Sequence, residues 1–110
     1  MSNTFKNVTA TSVGATLTDI YTAPASTTVV IIGASCANIL GSATSVMIDL
    51  VPASGDQVKI VAENTPVPVG SSLIFAGGTQ KIVLEAGDII KVKAEHADAI
   101  DVALSILEMT

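Results

Sequence analysis

β-Branched residues make up about a third of the chain, and no other feature constrains its fold as strongly. The 110 residues include 13 Val, 12 Ile and 12 Thr, against only seven Leu. Branching at Cβ restricts the first side-chain torsion and suits a pleated strand better than a helix. Because no helical period of useful length runs through the sequence, an all-β fold is predicted.

Short runs of apolar residues recur between turn signals such as Ala23–Ser26 and Pro52–Asp56. The predicted strands are Phe5–Ala10, Thr16–Thr22, Thr27–Ala37, Thr44–Val51, Gln57–Glu63, Ser71–Ala76, Lys81–Glu85, Ile89–Glu95 and Ala99–Met109. About eight or nine short strands at this spacing predict a single-domain antiparallel β-sandwich, jelly-roll-like in type. Residues 1–14 are expected to be an N-terminal arm or a first strand, and residues 15–110 the sandwich domain.

The charge composition argues against several classes of partner. Five Lys, no Arg and ten acidic residues give a net charge of −5, whereas a nucleic-acid surface needs basic clusters with aromatic side chains for stacking. The stretch from Ile20 to Met47 has no charge, but Pro24 and Gly33 interrupt it. We therefore expect no nucleic-acid partner and no membrane-spanning helix.

Candidate chemical groups are few. The one thiol, Cys36, lies among small apolar residues and is expected to be buried in the core. His96 and Asp98 are expected in a solvated turn, with Asp101 on the outer face of a strand, because one His is too few for most metal sites. A Ser-His-Asp or Cys-His nucleophile is not predicted, because Cys36 and His96 have no sequence context for either. No catalytic, cofactor-binding or metal site is predicted, no small-molecule substrate is expected, and the chain is not expected to be an enzyme.

Glu85 and Asp88 flank a glycine, and any two carboxylates so placed can suggest a glycosidase pair. Solvation at a strand end is the preferred interpretation, since an Asp in a turn bonds its own backbone.

Apolar residues outnumber the positions in one small core. Eight strands of about six residues offer roughly 24 inward positions, and 39 hydrophobic residues remain once Ala is set aside. The predicted interface residues are Phe5, Val8, Val30, Ile32, Leu107 and Met109. A homo-oligomer, with a trimer favoured, or docking onto another protein is expected; the alternative is that loops cover these second faces.

Three stretches together carry a family resemblance. The first is Ile20–Ala25 leading into Thr27–Ile32, the second is Pro66–Leu73, and the third is Lys81–Val92 with its ending in Leu104–Glu108. In this combination the sequence resembles a group of small virion structural proteins of tailed bacteriophages. The resemblance implies a compact β-sandwich, no enzymatic activity and a place in the virion, after assembly in the host cytoplasm.

The resemblance implies no particular position on the particle. A capsid decoration or cement protein that oligomerises and docks on the major capsid protein is the favoured hypothesis, because a rigid β-rich body with surplus apolar surface suits that role. A structural protein of the neck, tail or fibre is the first alternative. A receptor-binding or glycan-binding β-sandwich is the second, although one Tyr and no Trp leave few aromatic platforms for sugars.

Overall fold

The computed structural model describes residues 2–77 and 81–110, and these residues form nine strands and no helix. The strands are β1 (Asn3–Val13), β2 (Thr18–Thr22), β3 (Thr28–Asn38), β4 (Thr44–Val51), β5 (Val58–Val67), β6 (Ser72–Ala76), β7 (Ile82–Leu84), β8 (Ile89–Ala94) and β9 (Ile100–Met109). In the described part of the chain, no helix is long and apolar enough to span a membrane.

The strands form two antiparallel sheets that pack face to face. Sheet A has the order β1-β9-β3-β6, with β7 also paired to β3, and sheet B has the order β2-β8-β4-β5. The pairings are nested: β1 with β9, β2 with β8, β3 with β6 and β7, and β4 with β5. The chain is thus one long antiparallel hairpin rolled into two layers, which is jelly-roll topology and confirms the predicted all-β sandwich.

The core lies between the sheets and follows the alternation of inward and outward side chains along each strand. Val29 and Ile31 are fully buried on β3, while Ile90 and Val92 are fully buried on β8. The largest fully buried apolar side chains are Ile31, Ile48, Leu84, Ile90, Ile100, Leu104, Ile106, Val29, Val46, Val67 and Val92. A single copy exposes 5704 Å², close to the roughly 5,650 Å² expected for a compact monomer of this mass. One copy therefore completes its own core.

Two strands differ from the sequence-based prediction by three residues or more at one end. β5 continues to Val67 instead of ending at Glu63, because the backbone at Asn64 takes a φ of 69° and the strand bends through register shifts. Pro66 fits within β5 because β5 is an edge strand, where a missing amide hydrogen costs no ladder bond. β1 extends beyond Phe5–Ala10 at both ends and pairs with β9 of the same chain. Residues Asn3–Val13 are thus a strand of sheet A.

Cys36 lies in the core cluster with no exposed surface, as predicted, and burial raises the pKa of its thiol to about 11. Asp88 bonds its own turn as predicted, since its Oδ2 accepts a hydrogen bond from the Glu85 amide at 2.9 Å. The prediction that Asp88 is solvated is wrong: its side chain is buried because its Oδ1 also accepts from the Ala53 amide at 3.0 Å. Asp88 thereby joins two turns at one end of the sandwich.

Candidate interaction surface

The outer face of sheet A carries a row of four apolar side chains, one on each of four neighbouring strands. Phe5 on β1 lies opposite Leu107 on β9, Leu107 lies opposite Val30 on β3, and Val30 lies opposite Val83 on β7. Directly opposed residues of paired strands point to the same side of a sheet. We call these four residues the apolar row.

The apolar row is open to solvent at both ends. Phe5 is 73% exposed and Val83 is 54% exposed, whereas Leu107 and Val30 are half-buried between their neighbours. Ile74 on β6, opposite Ser35 of β3, adds a side chain that is 73% exposed. No described loop covers this face, so the apolar surplus of the sequence is located mainly on it.

Beside the apolar row the surface dips into an open groove of about 360 Å³. Phe5 and Ile32 line the groove together with Ser105 of β9. Ser105 lies opposite Gly33 on one side and Asn7 on the other. Because Ser105 is small and Gly33 has no side chain, the surface is lower there than at the larger residues around it. The face therefore offers both protruding apolar side chains and a recess.

Five of the six predicted interface residues belong to this face. Phe5, Val30, Ile32, Leu107 and Met109 lie on the outer side of sheet A. Val8 does not, because it lies opposite Leu104, whose side chain is buried, and it packs against the core. Successive side chains of a strand point to opposite faces of the sheet. Because Phe5 and Val8 are three positions apart, their side chains point to opposite faces.

Sequence reasoning missed Val83 and Ile74 as outer-face residues. The signal for Val83 was available, because it alternates with the inward residues Ile82 and Leu84. The signal for Ile74 was weaker, because β6 shifts register against β3 near its end.

The outer face of sheet B has the opposite character. A row of alternating charge crosses its four strands: Lys59 on β5 lies opposite Asp49 on β4, Asp49 opposite Lys91 on β8, and Lys91 opposite Asp19 on β2. Nζ of Lys59 is 3.3 Å from Oδ1 of Asp49, and Nζ of Lys91 is 3.2 Å from Oδ1 of Asp19. We call these four residues the charged row.

Asp49 is fully buried although it points to the outer side of sheet B. The amide Nε2 of Gln57 donates a hydrogen bond to its Oδ2, and the ammonium of Lys59 covers both of its carboxylate oxygens. A buried carboxylate needs such partners because it has left water. Two residues further along β8, Nζ of Lys93 lies 3.4 Å from Oε2 of Glu63 on β5. This face satisfies its own charges.

A third feature joins the edge strand β2 of sheet B to the central strand β9 of sheet A. The hydroxyl of Tyr21 on β2 donates a 2.5 Å hydrogen bond to Oε2 of Glu108 on β9, and Nζ of Lys6 on β1 lies 2.9 Å from Oε1 of the same carboxylate. The hydrogen bond from Tyr21, followed by that from Lys6, holds the pKa of Glu108 below its usual value. Burial, followed by the hydrogen bond and charge of Glu108, raises the pKa of Tyr21 above its usual value.

The remaining candidate groups do not converge. His96 and Asp98 are exposed in the turn before β9, and Asp101 accepts a hydrogen bond from the Ser12 amide at 2.9 Å. Nδ1 of His96 is 3.0 Å from the hydroxyl of Thr44. Among residues 2–77 and 81–110, no three His, Cys, Asp or Glu side chains are grouped so as to hold a metal ion.

Comparison with known proteins adds no family: the chain matches no protein-family model, and no curated protein is significantly similar to it.

Proposed function

We propose that this chain is a non-enzymatic structural protein of a tailed-bacteriophage virion, a capsid decoration protein that docks through the outer face of sheet A. The observation that carries the proposal is the contrast between the two outer faces. An exposed apolar row crosses sheet A, while the charged row of sheet B is neutralised within the chain.

Large exposed apolar side chains grouped on one face are typical of surfaces that contact another protein. Phe5 and Ile74, both 73% exposed, mark the breadth of this surface, and the groove beside the apolar row gives a partner side chain a place to insert. Insertion of a partner side chain into such a groove packs the two surfaces closely, as in other protein interfaces. Binding of this kind needs no catalytic group and no cofactor.

The fold suits such a role because the free chain already buries its core. A decoration protein must persist as a folded body before it binds, and a single copy of this chain has the compact surface area of a monomer. The partner is proposed to be the major capsid protein.

Rebinding to particles tests the proposal. Capsids lacking this protein are mixed with purified wild-type chain, with Ile74→Ser and Val83→Ser together, and with Asp19→Ser as the control. All three positions are exposed, so each variant is expected to keep the fold. We expect wild type and Asp19→Ser to bind equally and the double variant to lose at least tenfold in affinity. Equal binding by all three removes this face from the proposal.

The location of bound protein on the particle, seen by electron microscopy, separates the capsid from the alternatives. Binding confined to a neck, tail or fibre would support a structural role in the virion and would contradict docking on the capsid. A glycan array addresses the receptor-binding alternative, for which the structure offers no specific support.

A further inference from the structure

β1 is the one long edge of the described sheets that lacks the usual protection against pairing. It has 11 residues, of which eight are exposed, and it pairs with β9 on one side only. Its register with β9 is unbroken from Asn3 to Ala10. A straight edge of this kind presents unpaired amide and carbonyl groups to any strand that approaches.

The other edges are short or blocked. β2 has five residues and a register shift, β6 has five residues, and β7 has three. β5 is long, but it carries Lys59, Glu63 and Pro66 and bends at Asn64. Charge, proline and irregularity are the devices that keep sheet edges apart.

β1 has a single charged residue, Lys6, and the ammonium group of Lys6 forms an ion pair within the chain. Its ammonium lies 2.9 Å from Glu108, a carboxylate on the adjacent strand of the same sheet. An edge lysine normally repels a second copy of the strand, but this one is held against its own chain. The edge is therefore nearly neutral toward a partner.

The hydrogen bonds at the start of β1 show which backbone groups point outward. The amides and carbonyls of Ser2 and Thr110 bond each other reciprocally, which makes that pair a hydrogen-bonded pair of the ladder. Such pairs alternate with pairs whose backbone groups point away from the partner strand. The outward-pointing groups therefore belong to Asn3, Phe5, Asn7 and Thr9.

We propose that β1 pairs antiparallel with β1 of a second copy about a two-fold axis at Asn7, which joins the two A sheets into one. Two registers use nearly all of the straight run, one centred on Lys6 and one on Asn7. The first places the two lysines directly opposite each other, which is unfavourable. The second places Lys6 opposite Val8 of the second copy, and Phe5 opposite Thr9 of the second copy.

A second copy fits this edge better than an unrelated strand because β1 forms favourable cross-strand pairs when it pairs antiparallel with itself. The Asn7 register sets an aromatic side chain opposite a β-branched one twice, related by symmetry, and such pairs stabilise sheets. It also places two copies of the apolar row on one continuous face. The pairing unit is a dimer, in place of the trimer that the sequence favoured, and it holds whether or not the virion role is correct.

The first test is sedimentation of wild type, Asn7→Pro and Asn7→Thr. Because the Asn7 amide points away from β9, proline there removes no bond within the chain but blocks the proposed seam. Threonine keeps the amide and serves as the matched control. We expect dimers for wild type and Asn7→Thr, and a dissociation constant at least tenfold weaker for Asn7→Pro. A wild-type monomer up to about 100 μM, or an oligomer unchanged in Asn7→Pro, overturns the proposal.

Crosslinking provides a second readout if proline impairs folding. In the Asn7 register the two Asn7 positions face each other at the distance that a disulfide spans. The native thiol of Cys36 is buried and does not compete. Mild oxidation of Asn7→Cys is expected to give a covalent dimer, and Ile74→Cys, on the opposite edge, is expected to give far less. Equal crosslinking at the two positions contradicts the proposed seam.

Discussion

The hydroxyl of Tyr21 donates a 2.5 Å hydrogen bond to the carboxylate of Glu108, and this bond joins an edge strand of sheet B to a central strand of sheet A. The ammonium of Lys6 on the third strand completes the cluster. Three strands from the two layers thus meet at one carboxylate, beside the edge through which two copies are proposed to pair.

The raised pKa of Tyr21 predicts a loss of stability in alkali. A group whose pKa is higher in the folded state stabilises the fold fully below its unfolded pKa, which is near 10 for tyrosine. That contribution is lost as the pH rises above 10, since the unfolded chain then ionises its tyrosine while the folded chain resists.

Urea unfolding at intervals between pH 8 and 11 measures this effect, with Tyr21→Phe as the comparison. All five lysines are common to both proteins, so the difference isolates the tyrosine. The wild-type free energy of unfolding is expected to fall more steeply than that of Tyr21→Phe above pH 10. Parallel curves would show that the bond does not persist in solution.

The buried carboxylate of Asp49 predicts a large difference between two aspartates of one row. Asp49→Ala leaves Gln57 and Lys59 without their acceptor and is expected to cost about 1–3 kcal/mol. Asp19→Ala removes an exposed pair and is expected to stay within about 0.5 kcal/mol of wild type. Chemical denaturation measures both variants, and equal costs would mean that Asp49 is not buried as described.

Substitutions at two adjacent residues of β7 are expected to change the free energy of unfolding by very different amounts. Leu84→Ala opens a cavity in the core and is expected to lower the free energy of unfolding by about 2–5 kcal/mol. Val83→Ala trims the exposed end of the apolar row and is expected to change it by less than about 1 kcal/mol. Thermal unfolding of the two variants compares them, and a larger loss for Val83→Ala would reverse the assigned faces.

The part of this fold that the sequence predicts is the part that follows from the alternation of residues within each strand. The bounds of β4 were predicted correctly as Thr44–Val51, because its alternation of residues with a period of two lies between two turn signals. β5 was predicted too short because a positive φ at Asn64 bends the strand without ending it, and nothing in the alternation signals that bend.

The two rows could not be predicted because register is a relation between strands far apart in sequence. Asp49 reads as an ordinary outward residue of β4, and its burial depends on Gln57 and Lys59 from beyond the next turn. The apolar row likewise joins β1 to β9, at opposite ends of the chain. Periodicity assigns a residue to a face, but only pairing shows which residues share that face.

The copy number of this chain in purified virions tests the virion role most directly. Quantitative mass spectrometry of intact particles, scaled to the major capsid protein, measures it. A decoration protein is expected to be present in numbers set by the capsid lattice, on the order of hundreds of copies. About a dozen copies would place the chain at a neck ring or fibre, and its absence from purified particles would contradict the virion role.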